Sequence, residues 1–352
     1  MRIALIAPLF ETVPPRGYGG IERVVASLCD GLTERGHLVT LFASAGSRTA
    51  AQLVPGSNAP LREYMTPGEL QETAPHLHLA MISEVYRRAD DFDVIHSHVE
   101  PYTFPFADLV DTPTVITAHG TLEPPIVAEI LGRYPRIRLV SISRAQRMPL
   151  RSLSVKWAGN VYNGVPVEDY SFRTQHGDYL AFLGRITPAK RPDRAIEVAR
   201  RARLPLKVGA KIDPSDQIYW EEEIGPLFAA NDVEFLGEVD DAAKVELLSG
   251  AYATLMPIDW AEPFGLAMVE SLACGTPVIA LRRGSVPEII DDGRTGWICN
   301  TVDDMVAAIP RVRELDRAQC RQAALRFDVS TMVRGYESVY RSAIHGAAHF
   351  IA

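Results

Sequence analysis

Short apolar runs alternate along the chain with longer stretches in which apolar residues recur at helical spacing, the grammar of parallel βαβ units. In the first half, residues 3–8, 38–43, 94–97, 114–117 and 139–142 read as buried strands, most of them followed by polar or Gly-rich loops. The longest linking helix is expected from Ile21 to about Arg35, closed by Gly36. The second half restarts the pattern, with strands expected at 179–183, 206–208, 233–235, 253–257 and 278–280 and helices at 192–203, 216–230 and 242–248. Two such halves predict an α/β protein of two doubly wound Rossmann-like domains, residues 1–164 and 165–330. The boundary falls at Asn163-Gly164-Val165-Pro166, whose turn chemistry follows a short strand at 160–162. Ser330 as N-cap and a helix-forming run from Thr331 to Ile344 predict a last helix.

Length and composition agree with this picture. The 352 residues are many for one core and ordinary for two domains. With 47% apolar and 23% charged residues, the chain reads as a soluble globular protein. A net charge of -8 carries no electrostatic footprint for nucleic acid. Cys29, Cys274, Cys299 and Cys320 are scattered, without a C-x-x-C pair, so a reduced cytoplasm is the expected compartment. The apolar start, residues 1–8, is too short for a signal peptide, and no apolar run approaches the ~18 residues that span a bilayer.

The chemistry concentrates in Glu262-Pro263-Phe264-Gly265-Leu266-Ala267-Met268-Val269-Glu270, which runs on into Ala273-Cys274-Gly275-Thr276-Pro277-Val278-Ile279. The Pro-Phe-Gly step breaks any preceding element, a helix follows, Gly275 ends it, and a strand begins after Pro277. Eight positions set the two carboxylates ~12 Å apart and within ~80° of one helix face. That span suits one elongated ligand gripped at both ends and exceeds the ~5–9.5 Å of paired carboxylates in glycoside hydrolysis. Between them, the amides of Phe264, Gly265 and Leu266 carry the positive end of the helix dipole, a place for a pyrophosphate. The plain alternative is a pair of solvated acids in the first turns of an amphipathic helix.

Five further motifs lie near expected strand ends. Gly17-Tyr18-Gly19-Gly20-Ile21-Glu22 opens the first long helix, with Gly19 and Gly20 letting amides face a phosphate. Its spacing is not the G-x-G-x-x-G of a nicotinamide oxidoreductase, which counts against that class. Thr117-Ala118-His119-Gly120 places a histidine just past a strand, whereas His96 reads as structural and His98 as a weaker candidate. Gly184-Arg185 and Lys190 supply two cations for a leaving pyrophosphate. Gly209-Ala210-Lys211 offers a third, and Gly237-Glu238 lies on a loop after the strand at 233–235. No Asp-x-Asp pair stands at a strand end, so neither a metal nor a separate cofactor is expected.

The Glu262–Glu270 string, with Ala-Cys-Gly-Thr-Pro-Val-Ile after it, resembles the donor-site signature of retaining GT-B glycosyltransferases of family 4, the glycosyl transferases group 1. Gly-Arg…Lys at 184, 185 and 190, Thr-x-His-Gly around His119 and Gly19-Gly20 are similar to other motifs of that family. The resemblance implies a GT-B fold: an acceptor-side first domain facing a donor-binding second domain across a cleft, with the last helix, about residues 331–352, crossing back to the first. It implies retaining transfer of a hexosyl group from a nucleotide diphosphate sugar, UDP-sugar before GDP-sugar, to a hydroxyl acceptor without a metal. Glu262 would then bind sugar hydroxyls, Glu270 the ribose, Arg185, Lys190 and Lys211 the diphosphate, Gly237-Glu238 the base, and His119 the sugar near the reacting centre. The acceptor stays unassigned among glycans, lipid-linked and small molecules, and peripheral membrane contact is compatible with it. Two departures stand out: Arg191 where the family usually has glycine after the lysine, and Ser285 in place of a frequent second glycine after Gly284. A non-catalytic sugar-nucleotide-binding protein, or an epimerase or phosphorylase of the same fold, is the alternative; the first would lose His119 or Glu262, and the second would lack the Glu262 string as written.

Overall fold

The computed structural model describes residues 1–348 except 123, 124, 135, 136 and 232. The chain forms two compact units, Met1–Gly164 joined by the C-terminal segment from Val329, and Val165–Asp328. In the first unit, strands β1 (Arg2–Ile6), β2 (Leu38–Ser44), β3 (Gln52–Ser57), β4 (Val94–Ser97), β5 (Thr114–Thr117), β6 (Arg138–Ser141) and β7 (Trp157–Asn160) form a parallel sheet ordered β3-β2-β1-β4-β5-β6-β7. In the second, β8 (Leu180–Arg185), β9 (Leu206–Lys211), β10 (Val233–Gly237), β11 (Ala253–Met256), β12 (Val278–Leu281) and β13 (Gly296–Cys299) are ordered β10-β9-β8-β11-β12-β13. Both orders reverse beside the first strand of the unit, between β1 and β4 and between β8 and β11. Doubly wound sheets hold ligands at that reversal, at the strands' carboxyl ends.

The inner strands are buried and mostly apolar because helices cover both faces of a parallel sheet. Ile3 pairs with Val39 on one side and Val94 on the other, and Ile3, Ala4, Leu5 and Ile6 are fully buried. Edge strands obey weaker rules. β3 is partly exposed and carries Pro55 and Gly56, which an edge tolerates, and β13 is partly exposed too. Neither stands out as an apolar run. The short strand expected at 160–162 instead spans Trp157–Asn160, fixed by the pairing of Leu139 with Trp157 and Ser141 with Asn160. The helix expected over 216–230 is interrupted: short turns at Pro214–Asp216 and Gln217–Tyr219 lead through a wide turn at Trp220–Ile224 into a helix at Gly225–Ala230. Pro226 lacks the amide that would continue an α-helical ladder there.

The terminal helix, Val329–Ala348, begins before the expected cap, so Ser330 sits inside its first turn; residues 349–352 of the expected helix lie outside the described residues. It packs on the first unit. Arg35 donates twice to the Glu337 carboxylate, at 2.8 and 2.9 Å, and His37 shares a 2.9 Å hydrogen bond with the same group. The Arg35 bonds hold the Glu337 carboxyl down at about 2. Arg138 donates to the Ala343 carbonyl at 2.7 Å, and Tyr336 and Tyr340 are fully buried. Among the described residues, no helix is long and apolar enough to cross a membrane.

Candidate active site

In the second unit, two loops at the sheet reversal are tied together. β8 ends at Gly184 and Arg185, and the loop after it turns on buried Thr187, whose carbonyl accepts from Lys190 N at 3.1 Å. Asp259 N, on the loop after β11, donates to Ala189 O at 2.9 Å. This stitch brings Lys190 and Glu262 together: Lys190 Nζ donates to Glu262 Oε2 at 2.5 Å. Trp260 Nε1 donates to the same oxygen at 3.1 Å, and the Lys190 ammonium lies 5.0 Å from the Trp260 ring centre. Lys190, the expected phosphate contact, forms an ion pair with the acid beside it.

The Glu262 loop rests on the segment after β12. Ser285 N donates to Glu262 O at 2.9 Å and Ser285 Oγ to Phe264 O at 2.6 Å. A Cβ at Gly284 would stand 2.2 Å from Glu262 O, so only glycine lets the two backbones meet. Ser285, the departure from a second glycine, thus adds a hydrogen bond that pins the loop. Gly265 caps the helix Leu266–Ala273 with φ +85°, and a Cβ there would lie 2.4 Å from Met268 Cε. The amides at the mouth of that helix, Leu266 included, carry its positive end, while Met268 N already donates to Gly265 O at 3.0 Å. The Phe264 ring packs edge-on against Phe327 at 5.7 Å, in the core.

Glu270 is 5% exposed, on the same helix. Its Oε1 accepts from Lys244 Nζ at 2.7 Å and from Tyr170 Oη at 2.9 Å. Nothing in the sequence pattern marks these two partners, 26 and 100 positions away. Lys211 lies 3.7 Å from Glu238 Oε1, next to Gly237 at φ +68°. Burial raises the Asp216 carboxyl, and the charge of Arg185 offsets only part of that rise. Arg191 occupies the left-handed region, φ 53° and ψ 56°, where glycine costs nothing. Its guanidinium donates to Asp193 at 2.6 and 2.9 Å and to Asp259 at 3.2 Å, so ion pairs hold the strained residue.

In the first unit, Gly20 begins the helix Gly20–Glu34 and Gly19 precedes it with φ 179°. Space, not backbone angle, demands glycine at 19: a Cβ would sit 2.7 Å from Pro15 Cβ. Glu22, in the first turn, is 5% exposed, and burial raises its carboxyl to about 7. His119 follows β5, half-buried, and its Nε2 shares a 2.7 Å hydrogen bond with His98 Nδ1. Its backbone amide donates to Glu100 Oε1 at 3.0 Å, and burial lifts Glu100 to about 7. His96 is fully buried and structural: its nitrogens bond Tyr340 Oη and Thr117 Oγ1, both at 2.7 Å, and Thr117 Oγ1 meets Tyr336 Oη at 2.9 Å. The terminal helix therefore underpins the β4–β5 end where His98 and His119 stand. Burial pushes His96 and His119 down to about 3, so both rings are neutral at physiological pH. Among the described residues, no group of three or more His, Cys, Asp or Glu side chains is arranged to hold a metal ion.

Residues 171–326 match the family described as glycosyl transferases group 1, and residues 18–167 match glycosyltransferase family 4. The chain belongs to this glycosyltransferase family. The glycosyltransferase is 26% identical over 373 residues to the phosphatidyl-myo-inositol mannosyltransferase of Mycolicibacterium smegmatis, covering 96% of this chain and 94% of that one. It is 26% identical over 385 residues to the D-inositol 3-phosphate glycosyltransferase of Geodermatophilus obscurus, covering 92% and 85%. Among solved structures, a glycosyltransferase involved in avilamycin A biosynthesis superposes with a TM-score of 0.71 at 24% identity, over 98% of both chains. Anabaena HepE in complex with UDP-glucose superposes with a TM-score of 0.73 at 16% identity, over 97% of this chain and 100% of its own. The glycosyltransferase thus has the two-Rossmann-domain GT-B fold and is a transferase of glycosyl groups.

Proposed function

We propose that this glycosyltransferase moves a hexosyl group from a nucleotide diphosphate sugar, UDP-sugar before GDP-sugar, to a hydroxyl acceptor, with retention and without a metal. The observation that carries the reading is the Lys190–Glu262 pair at the carboxyl ends of β8 and β11, beside the helix mouth at Gly265. A diphosphate there would draw the Lys190 ammonium, with Arg185 and the helix amides sharing its charge. Glu262, relieved of its partner, then accepts from sugar hydroxyls, while Glu270 accepts from the ribose. Lys211 adds a cation for the phosphates, Gly237 and Glu238 meet the base, and Gly19 and Gly20 offer backbone to the donor. His119 contacts the sugar.

In the transfer step, the acceptor oxygen bonds to the anomeric carbon on the face that the phosphate leaves. The bond from that carbon to the phosphate oxygen breaks, and the departing oxygen takes the acceptor proton. The complexes of HepE with UDP and UDP-glucose support a nucleotide-sugar donor by likeness of fold. The relatives' names, mannosyltransferase of phosphatidyl-myo-inositol and glycosyltransferase of D-inositol 3-phosphate, favour hydroxyls of a polyol among acceptors to be tried. Action in the cytoplasm, with peripheral membrane contact for a lipid-linked acceptor, completes the reading.

The test is nucleotide release from UDP-, GDP- and ADP-sugars, with myo-inositol, an inositol phosphate and phosphatidylinositol vesicles as acceptors, with and without EDTA. Acceptor-dependent release of one nucleotide, unchanged by EDTA and giving a product of unchanged anomeric configuration, is expected. Loss of activity in EDTA that magnesium restores would remove the metal-free step, and an inverted product would remove retention.

A further inference from the structure

Among the described residues, His98 differs from the two other fully buried histidines. His78 uses both ring nitrogens, Nε2 accepting from Leu9 N at 3.0 Å and Nδ1 bonding Ala74 O at 2.7 Å. His96 likewise uses both, on Tyr340 and Thr117. His98 is 1% exposed, yet among the described residues its Nε2 has no hydrogen-bond partner. Among the described residues, the ring's one hydrogen bond joins its Nδ1 and His119 Nε2, with the two rings stacked at 5.0 Å. A histidine that only filled space would satisfy both nitrogens or be replaced by an apolar residue. Here the whole polar capacity in use is directed at His119.

Burial keeps both rings neutral, pushing His98 well below the ordinary range and His119 to about 3. Two neutral imidazoles share one proton across such a contact, and two arrangements exist. If His119 Nε2 carries the proton, His98 Nδ1 is the acceptor and His98 Nε2–H is a buried donor with nothing to donate to. If His98 Nδ1 carries it, the partnerless Nε2 is a bare nitrogen. Orphaned buried N–H groups are the rarer and costlier case. The second arrangement leaves His119 protonated on Nδ1.

We infer that His98 is a positioning residue that holds His119 in the Nδ1–H tautomer and so makes it a hydrogen-bond donor toward an oxygen of the donor sugar or its phosphate. The last clause rests on the nucleotide-sugar reading; the tautomer itself does not. A sugar oxygen accepts from Nδ1–H, whereas a bare Nδ1 would have to recruit a hydroxyl proton. The Glu100 carboxyl under the His119 amide fixes the backbone of the same residue, so ring and main chain are each held by one partner.

The experiment is long-range ¹H–¹⁵N correlation on the full-length protein with ¹⁵N-labelled histidine, for wild type, His98→Asn and His98→Asp, with kcat and KM for the donor measured alongside. Asn offers an N–H near the Nδ1 position; Asp offers only an acceptor and demands a proton on His119 Nε2. Wild type and His98→Asn should show His119 as Nδ1–H, and His98→Asp should show it as Nε2–H with a bare Nδ1. In His98→Asp, kcat should fall about 10–100-fold, the worth of one hydrogen bond to a charged or developing charge, while His98→Asn stays within about threefold. An Nε2–H signal for His119 in the wild type overturns the inference, and so does a tautomer change that leaves kcat untouched. Should no nucleotide sugar react with the wild type, the functional reading fails, and the wild-type tautomer still decides the His98 inference.

Discussion

The buried Lys244–Glu270 pair offers a way to separate stability from ligand binding. Their side chains are 8% and 7% exposed, Lys244 Nζ is 2.7 Å from Glu270 Oε1, and Lys244 reaches Asp241 Oδ1 at 3.0 Å. Lys244→Met keeps the length of the side chain and removes the charge. Glu270 is then a buried carboxylate with the Tyr170 hydroxyl as its remaining partner at that oxygen. Breaking one side of such a pair costs about 3–5 kcal/mol, whereas replacing both sides with apolar groups is often neutral. For a unit the size of Val165–Asp328, that cost lowers Tm by roughly 6–20 °C. Glu270→Leu alone should cost less, because Lys244 keeps Asp241, which is 63% exposed. The double variant should melt within a few degrees of wild type. Scanning calorimetry reads the melts and calorimetric titration reads nucleotide affinity. The double variant should be stable and yet bind UDP at least tenfold more weakly, since Glu270 is the ribose acceptor. A Lys244→Met melt at the wild-type temperature, or a double variant as unstable as that single one, refutes the uncompensated-charge reasoning. Wild-type UDP affinity in the stable double variant refutes the role of Glu270.

Other expectations are more local. Glu22 is raised from 4.5 to about 7, so the folded state holds its proton more tightly; its contribution is full below pH 4.5 and is lost as pH rises through 7. That loss is on the order of 3 kcal/mol, and urea unfolding of Glu22→Gln at pH 5 and pH 8 should show a correspondingly smaller fall than wild type; an equal fall contradicts it. Arg191→Gly relieves about 1 kcal/mol of left-handed strain but gives up the ion pairs with Asp193 and Asp259. Its Tm should stay near wild type and its donor KM within about threefold, and a large rise in KM would make Arg191 a phosphate contact instead. Gly265→Ala must relax φ +85° and push Met268 Cε away, so it should lose about 1–2 kcal/mol of stability and weaken nucleotide binding; unchanged titrations would remove the helix mouth from the site.

What the sequence discloses tracks the strength of the local constraint. β1, β2, β4 and β5 are legible because strands covered on both faces are built around runs of apolar residues. β3 and β13, at sheet edges, face no such demand and leave no mark. Around the site, Gly265, Glu262, Lys190 and His119 stand where a strand ends or a glycine breaks the pattern, so their positions are readable. Their partners are not: Lys190 meets Glu262, Lys244 and Tyr170 meet Glu270, and Ser285 lies under Phe264, each through packing between segments distant in sequence. The same holds for His98, whose contact with His119 depends on β4 and β5 being neighbours in the sheet.

Calorimetric titration of UDP, GDP and ADP into the wild-type protein and the Arg185→Ala/Lys190→Ala variant is the most direct probe of the donor site. One nucleoside diphosphate, UDP first, should bind the wild type without added metal and lose at least a hundredfold in affinity in the variant, as expected when two cations facing a diphosphate are removed. No binding of any of the three to the wild type, or equal binding to the variant, would contradict a diphosphate held at the ends of β8 and β11.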